Sequence, residues 1–432
     1  MTDIYEIAEY TLKALKNCGA DAAQCIVGRS KKDELNVDGG KFSLMRSTFN
    51  TSISMKAIKD GKKGVTSINQ ATKEAIDEAA AQCIAAAESS VPDEAEQIAP
   101  FTAKAEYKTG VFEPDLNKLF DRIEEFMSQT KKEYPKVILE QLISDYEHSE
   151  KLYMNTNGTS LRYEHGEYSF NTMFSAHEGE KASSFNGYFC ALDSLDKPFM
   201  DAGMQRQLLA ESEKQLDTVS PSEKFVGRVI YSPDCFNELL QTALENFASS
   251  GVLIDGTSPW KDALNTKVAS EKLNLRSVPL DGRTVVGQRF TSDGYPVEDM
   301  DIIIDGVLKT FILSQYGANK TGFPRSLNSG NNLEVLPGDK ALEEMISGID
   351  RGLIVNRFSG GQPSSNGDFS GVAKNSFLIE NGKVVSAVSE TMISGNIIDM
   401  LNNIVAVSKE QTTDGLSFMP WAEFDGVTVS GK

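Results

Sequence analysis

No stretch of this 432-residue chain approaches the roughly 18 consecutive apolar residues of a membrane-spanning helix. Histidine is nearly missing, at three residues. Cysteine amounts to five, an odd number scattered over positions 18, 25, 83, 190 and 235 with no C-x-x-C pair. That scarcity argues against a disulfide framework and leaves the expectation of buried thiols in a reducing compartment. Basic residues fall short as well: 43 against 62 acidic ones give a formal charge of −19. Such an average field repels a polyanion, and the basic doublets Lys31-Lys32, Lys62-Lys63 and Lys131-Lys132 are short and lie near Asp or Glu. Neither nucleic acid nor an anionic membrane is therefore expected as a partner. The opening residues Met1-Thr2-Asp3-Ile4-Tyr5-Glu6 lack the basic region and apolar core of a secretory leader, and the expected location is the cytoplasm.

What is present is ordinary globular composition, 40% hydrophobic and 24% charged, in a chain long enough for two or three packed units. Apolar residues at Ile4, Ile7, Ala8, Leu12 and Leu15 predict a helix over 3–17, capped by Thr2 or Asp3 and stopped at Gly19. Cys25-Ile26-Val27 and Leu35-x-Val37 read as two strands divided by Ser30-Lys31-Lys32-Asp33. Thr51 to Ile58 alternates, and Asp60-Gly61 is a hairpin signal. Helical patterns follow over 72–89, 115–134 and 204–216, with a surface connector over 91–114 and alternating sheet from Val137 to Phe189 around Asn157-Gly158. Ser220-Pro221-Ser222 marks a boundary. Beyond it, a strand at Val229-Ile230-Tyr231 precedes a helix capped by Ser232 or Asp234 and running to about Ser249. Short strands and the turn dipeptides Asp305-Gly306, Asn381-Gly382 and Asp425-Gly426 come next, with a second helix over 393–403. The expected class is α+β: an N-terminal antiparallel sheet with helices, then a mainly-β, barrel-like C-terminal domain with one or two helices. The expected units are 1–90, 91–220 (completing the N-terminal sheet) and 221–432.

Local chemistry is sparse. His177-Glu178 has no second histidine on the same face, its surroundings read as strand, and His148 and His165 are expected to be ordinary surface residues of a sheet. No G-x-S-x-G elbow occurs, and the terminal Gly426–Lys432 run lacks the Ser/Thr and the helix a phosphate loop needs. Asp293, Glu298, Asp299, Asp301 and Asp305 could hold a hard cation but read more simply as a charged edge hairpin. The glycine-dense segment 360–371 is either a ligand-contacting loop or a tight crossover.

Three segments carry a resemblance. Gly367-Asp368-Phe369-Ser370-Gly371, Phe377-Leu378-Ile379-Glu380-Asn381-Gly382-Lys383 and Ile393-Ser394-Gly395-Asn396-Ile397-Ile398-Asp399-Met400-Leu401 resemble the signature of the TldD/PmbA family, described as modulators of DNA gyrase or peptide-maturation metalloproteases. Arg289-Phe290-Thr291-Ser292-Asp293-Gly294 and the Asp60-Gly61 hairpin fall in family order. The resemblance implies two pairing branches, one of which carries H-E-x-x-x-H on a helix and a later cysteine as zinc ligands. Here Gln241, Thr242 and Asn246 stand at that motif, and no cysteine follows Cys235. The chain thus resembles the PmbA (TldE) branch. This implies no catalytic residue or metal in this chain, zinc in a TldD-like partner, and peptide substrates. The implied peptide or partner cleft is Gly367, Asp368, Phe369, Ser370, Gly371, Ser394, Gly395 and Asn396. Two alternatives stay open: a homodimeric metallopeptidase with a carboxylate site at Asp299 and Asp301, and a protein-binding regulator of gyrase.

Overall fold

Asp3 accepts hydrogen bonds from the N–H groups of Tyr5 (2.7 Å) and Glu6 (3.1 Å) and so starts helix α1 (Ile4–Asn17). The computed structural model describes residues 3–221, 223–361, 363–389 and 391–431, so Thr2, the other candidate cap, and Ser222 lie outside the described residues. Gly19, at φ +99°, turns the chain out of the helix.

Strand β1 (Ala22–Asp38) runs unbroken where two strands are expected. Its ladders to β2 (Lys41–Lys59) and to β5 (Val137–Asn155) both carry straight through Ser30–Asp33. Charge does not break the strand because it is answered locally, Lys31 by Asp33 at 2.8 Å and Lys32 by Glu147 at 3.0 Å. Asp60 and Gly61, at φ 52° and 70°, close the hairpin into β3 (Lys62–Ile68). Helix α2 (Lys73–Ser89) lies on that strand at Gly64, where a Cβ would sit 1.9 Å from the Cys83 carbonyl oxygen.

The 91–114 stretch is more than a connector, since it contains β4 (Lys104–Gly110), parallel to β6 (Ser160–Glu178). No residue of β4 is fully buried, which blunts the alternation that would reveal it. Helix α3 (Leu116–Glu133) is capped by Asp115, and β5 and β6 form a long hairpin through Asn157-Gly158. β7 (Lys181–Ala182) and β8 (Asn186–Leu192) pair with β6, and helix α4 (Gln205–Lys214) follows. The eight strands have the order β3-β2-β1-β5-β6-β4, with β7 and β8 on β6.

The chain changes sheet at β9 (Thr218–Val219), continues as β10 (Phe225–Tyr231), and enters helix α5 (Pro233–Ala248) through Ser232, which caps the Cys235 N–H. Among the described residues the second sheet has fourteen strands, organised on the long strand Phe418–Ser430, which pairs with β10, 392–396 and 404–413. Asp425-Gly426 is not a hairpin turn. It lies inside that strand as a bulge, where the ladder to β10 shifts register between Gly227 and Val229 and Gly426 takes φ +81°. The helix expected over 393–403 spans only Ile397–Asn402, because 392–396 is held as a strand between two neighbours. Besides α5 there are short helices over 250–254, 315–321, 342–347 and 397–402, one or two turns each and too brief to show a period.

One apolar core packs α5 (Phe236, Leu240, Phe247) against the second sheet. A second core spans both sheets, joining Phe126, Phe170 and Leu209 to Ile354, Phe377 and Trp421. No helix among the described residues is long and apolar enough to cross a membrane.

Candidate functional site

Helix α5 has its place because its apolar stripe, Phe236, Leu239, Leu240, Ala243 and Phe247, is buried in the C-terminal core. Its opposite face meets the seam between the sheets. There Asn237 and Gln241 line a cavity of about 720 Å³. The facing wall is one side of the N-terminal sheet: Gly28 pairs with Ser52 and Lys151, and Lys151 with Tyr163, so all four sit in one row across the strands. A Cβ on Gly28 would meet the Ser52 hydroxyl at 2.8 Å, so glycine keeps this wall flat.

The remaining wall is loop. Arg289 donates to the carbonyl of Pro279 at 2.5 Å and lies 5.6 Å from the centre of the Tyr163 ring. Tyr163 in turn shares a 2.9 Å hydrogen bond with Thr109, and burial raises its phenol pKa. Asp414 accepts from the N–H groups of Leu416 (2.8 Å) and Ser417 (2.7 Å), holding the loop at the cavity's edge. Asn237, Lys151 and Asp414 line the cavity from separate elements with no local motif to announce them, whereas Arg289 opens the Arg289–Gly294 segment that falls in family order.

Gln241, Thr242 and Asn246, which the resemblance sets at the zinc motif, do not share a setting. Gln241 lines the large cavity, with Nε2 donating to Asn237 at 3.4 Å. Thr242 lines a smaller cavity of about 310 Å³ and donates to the Glu238 carbonyl at 2.8 Å, as helix threonines do. Asn246 lies five residues from Gln241, about 140° around the helix at about 100° per residue. Neutral amides and a hydroxyl do not fit a catalytic zinc ion. Among the described residues, no group of three or more His, Cys, Asp or Glu side chains is arranged to hold a metal.

The other candidates have structural work. The acidic segment is tied up: Asp301 pairs with Arg276 at 2.9 Å, Asp299 accepts from the Leu280 N–H, and Asp293 accepts from the Gln315 N–H. His165 is not a surface residue. It is 2% exposed, sharing a 2.8 Å hydrogen bond with Thr109, because its strand is covered on that face. His148 meets Glu164 at 3.0 Å.

The two halves of the implied cleft meet each other as an antiparallel ladder, Asp368 opposite Asn396, Phe369 opposite Gly395 and Ser370 opposite Ser394, with Gly371 next in line. Asn396 donates to the Asp368 carboxylate at 2.9 Å and caps the helix that follows. None of these eight residues lines the 720 Å³ cavity, and Phe369 lines the 310 Å³ one beside Thr242. The glycine-dense segment is a tight hairpin there: a Cβ on Gly371 would sit 2.7 Å from the Cα of Gly360. Gln362 of that segment lies outside the described residues.

Residues 224–431 match the PmbA/TldA metallopeptidase C-terminal domain and residues 23–87 match PmbA/TldA metallopeptidase domain 1, together well over half of the chain. The metalloprotease PmbA of Escherichia coli O157:H7 is 32% identical over 155 residues, 35% of this chain and 34% of that protein. A zinc metalloprotease TldD homolog of Saccharolobus solfataricus is 28% identical over 220 residues, 47% of this chain and 49% of that one. The chain thus spans about a third to a half of the length of these curated relatives. The crystal structure of TldE from Thermococcus kodakarensis superposes with a TM-score of 0.84 at 22% identity, over 98% of this chain and 100% of that one, and shares the fold. With both terminal domains matched, the chain belongs to the PmbA/TldD metallopeptidase family.

Proposed function

We propose that this chain is the zinc-free half of a two-chain metallopeptidase that processes small or unfolded peptides, with hydrolysis performed by a TldD-like, zinc-bearing partner. The reading rests on α5, where the family resemblance sets Gln241, Thr242 and Asn246 against the motif of the zinc-binding branch. Neutral side chains there grip zinc poorly, and Thr242 cannot serve as the base that activates a water. The chain's own share is binding and enclosure. The cavity between the flat sheet wall and α5 sets Asn50, Ser52, Asn237 and Gln241 among apolar lining, where they can bond a peptide backbone. An extended segment fits such a seam and a folded domain does not. A self-contained site at Asp299 and Asp301 is disfavoured because Arg276 already pairs with Asp301 and a backbone N–H with Asp299.

The test is reconstitution. The purified chain is mixed with a TldD-like chain from the same genome, and zinc content and cleavage of an unstructured decapeptide are measured for each chain and for the mixture. Cleavage and stoichiometric zinc are expected only when the partner is present. Stoichiometric zinc together with unaided cleavage by this chain would overturn the assignment.

A further inference from the structure

A second cavity, about 630 Å³, opens at the N-terminal end of α5 and shares Asn237 and Asp414 with the larger one, so a single extended chain can reach from one into the other. Its composition is lopsided. Asp234 and Glu238 lie four residues apart, on one face of α5 and one turn from each other. Among the described residues, neither carboxylate has a hydrogen bond or ion pair. Asp414 adds a third carboxylate, and Arg357 is the cation among the described lining residues. Arg357 also donates to the Phe185 carbonyl at 3.0 Å.

A separate observation points the same way. Asn356, 8% exposed, lines this cavity. Its Nδ2 donates to Glu211 at 2.7 Å, and its Oδ1 has no partner. A buried acceptor without a donor is costly, and such groups in native folds call for an explanation. Burial and the neighbouring charges of Asp414 and Glu238 push the Asp234 carboxyl up to about 6, and burial raises Glu238 as well. Three carboxylates against one guanidinium leave the charged groups of the described lining net negative. Its rim is apolar and aromatic: Met173, Phe185 and Phe189 are exposed there. The carboxylates are not gathered as metal ligands, and an aromatic rim suits an organic cation on an alkyl or peptide stem better than a bare ion.

We propose that this cavity is a subsite for a cationic group of a bound peptide, its amino-terminal ammonium or a lysine or arginine side chain, received by Asp234 and Glu238, with Asn356 in the cavity wall. The larger cavity has the opposite leaning, with Arg29, Lys151 and Arg289 against Glu150 and Asp414, so the groove along α5 changes sign from one compartment to the next. This subsite rests on the peptide-binding reading above, but its test requires neither the partner nor zinc.

Three fluorescent, unstructured decapeptides serve as probes: one N-acetylated with a single lysine, one without lysine but with a free amino terminus, and one N-acetylated without lysine. Anisotropy titrations are run on the wild-type chain, on the double variant Asp234→Asn with Glu238→Gln, and on Glu238→Gln alone. Thermal melts confirm that each variant is folded. At least one cationic probe should bind about tenfold tighter than the neutral one, and the double variant should erase that preference; whichever cationic probe is preferred identifies the source of the charge. Equal affinity for all three probes, no binding of any, or a preference that survives the double substitution would each overturn the subsite. Failure of the reconstitution with the charge preference intact would sink the two-chain assignment and leave the subsite standing.

Discussion

Glu167 shows how far a single residue can depart from what its letter promises. It sits opposite Glu147 on neighbouring strands. Burial, then the charges of Glu147 and Asp145, push its carboxyl up to about 7, against a smaller pull from Lys32. A carboxyl whose folded pKa is raised holds its proton longer in the native state than in the unfolded chain. Its contribution therefore favours folding at low pH and is lost as pH rises from about 4.5 through 7. Glu167→Gln should flatten that slope, leaving the protein about 1–3 kcal/mol more stable than wild type at pH 8 and nearly equal at pH 4, by urea unfolding at both pH values. An unchanged slope would mean that other groups dominate. Gly64 carries the opposite lesson. The Cys83 carbonyl stands 1.9 Å from where a Cβ would be. Gly64→Ala must push α2 off β3 and should cost about 1–3 kcal/mol in the same measurement.

Helix α5 is the element on which the site depends, and its entry is the point to test. Ser232 accepts from the Cys235 N–H at 3.4 Å and donates to the Asn356 carbonyl at 3.1 Å, tying the helix start to the wall of the second cavity. Ser232→Ala should cost about 1 kcal/mol in chemical denaturation. It should also weaken the cationic decapeptides of the subsite test more than the neutral one, whereas a uniform loss would mark the cap as purely structural. Elements of this kind were readable in advance. α1, α3 and α5 announce themselves by a polar cap followed by a 3.6-residue apolar stripe, and the turns at Asp60-Gly61, Asn157-Gly158 and Asn381-Gly382 by residues that tolerate positive φ or tight bends. The charged middle of β1 reads as a break in the sequence, and only its cross-strand neighbours reveal that the charge is paired. β4 leaves no pattern in the sequence because a half-exposed edge strand has no buried face to write a period. Gln241 was located by family likeness, whereas Asp234, Glu238, Asn356 and Asp414 belong to three distant segments and carried no local signature.

For the whole molecule, the change of sheet near residue 218 is not an energetic boundary. Leu208 and Leu209 of α4 share a core with Ile354, Phe377 and Trp421 of the second sheet. Parts that share a buried core unfold together, so calorimetry should record one cooperative transition. Two well-separated transitions would contradict a shared core. Composition, charge, the long helices, most of the hairpin turns and the scarcity of histidine and cysteine follow from the amino-acid order itself, because each depends on residues close in sequence or on simple totals. The continuity of β1, the branching of the C-terminal sheet around its last strand, and the meeting of two cavities along α5 were decided by tertiary packing. Those features rest on pairings between residues from tens to about two hundred positions apart, whose energies come from burial and cross-strand hydrogen bonds that no local window contains.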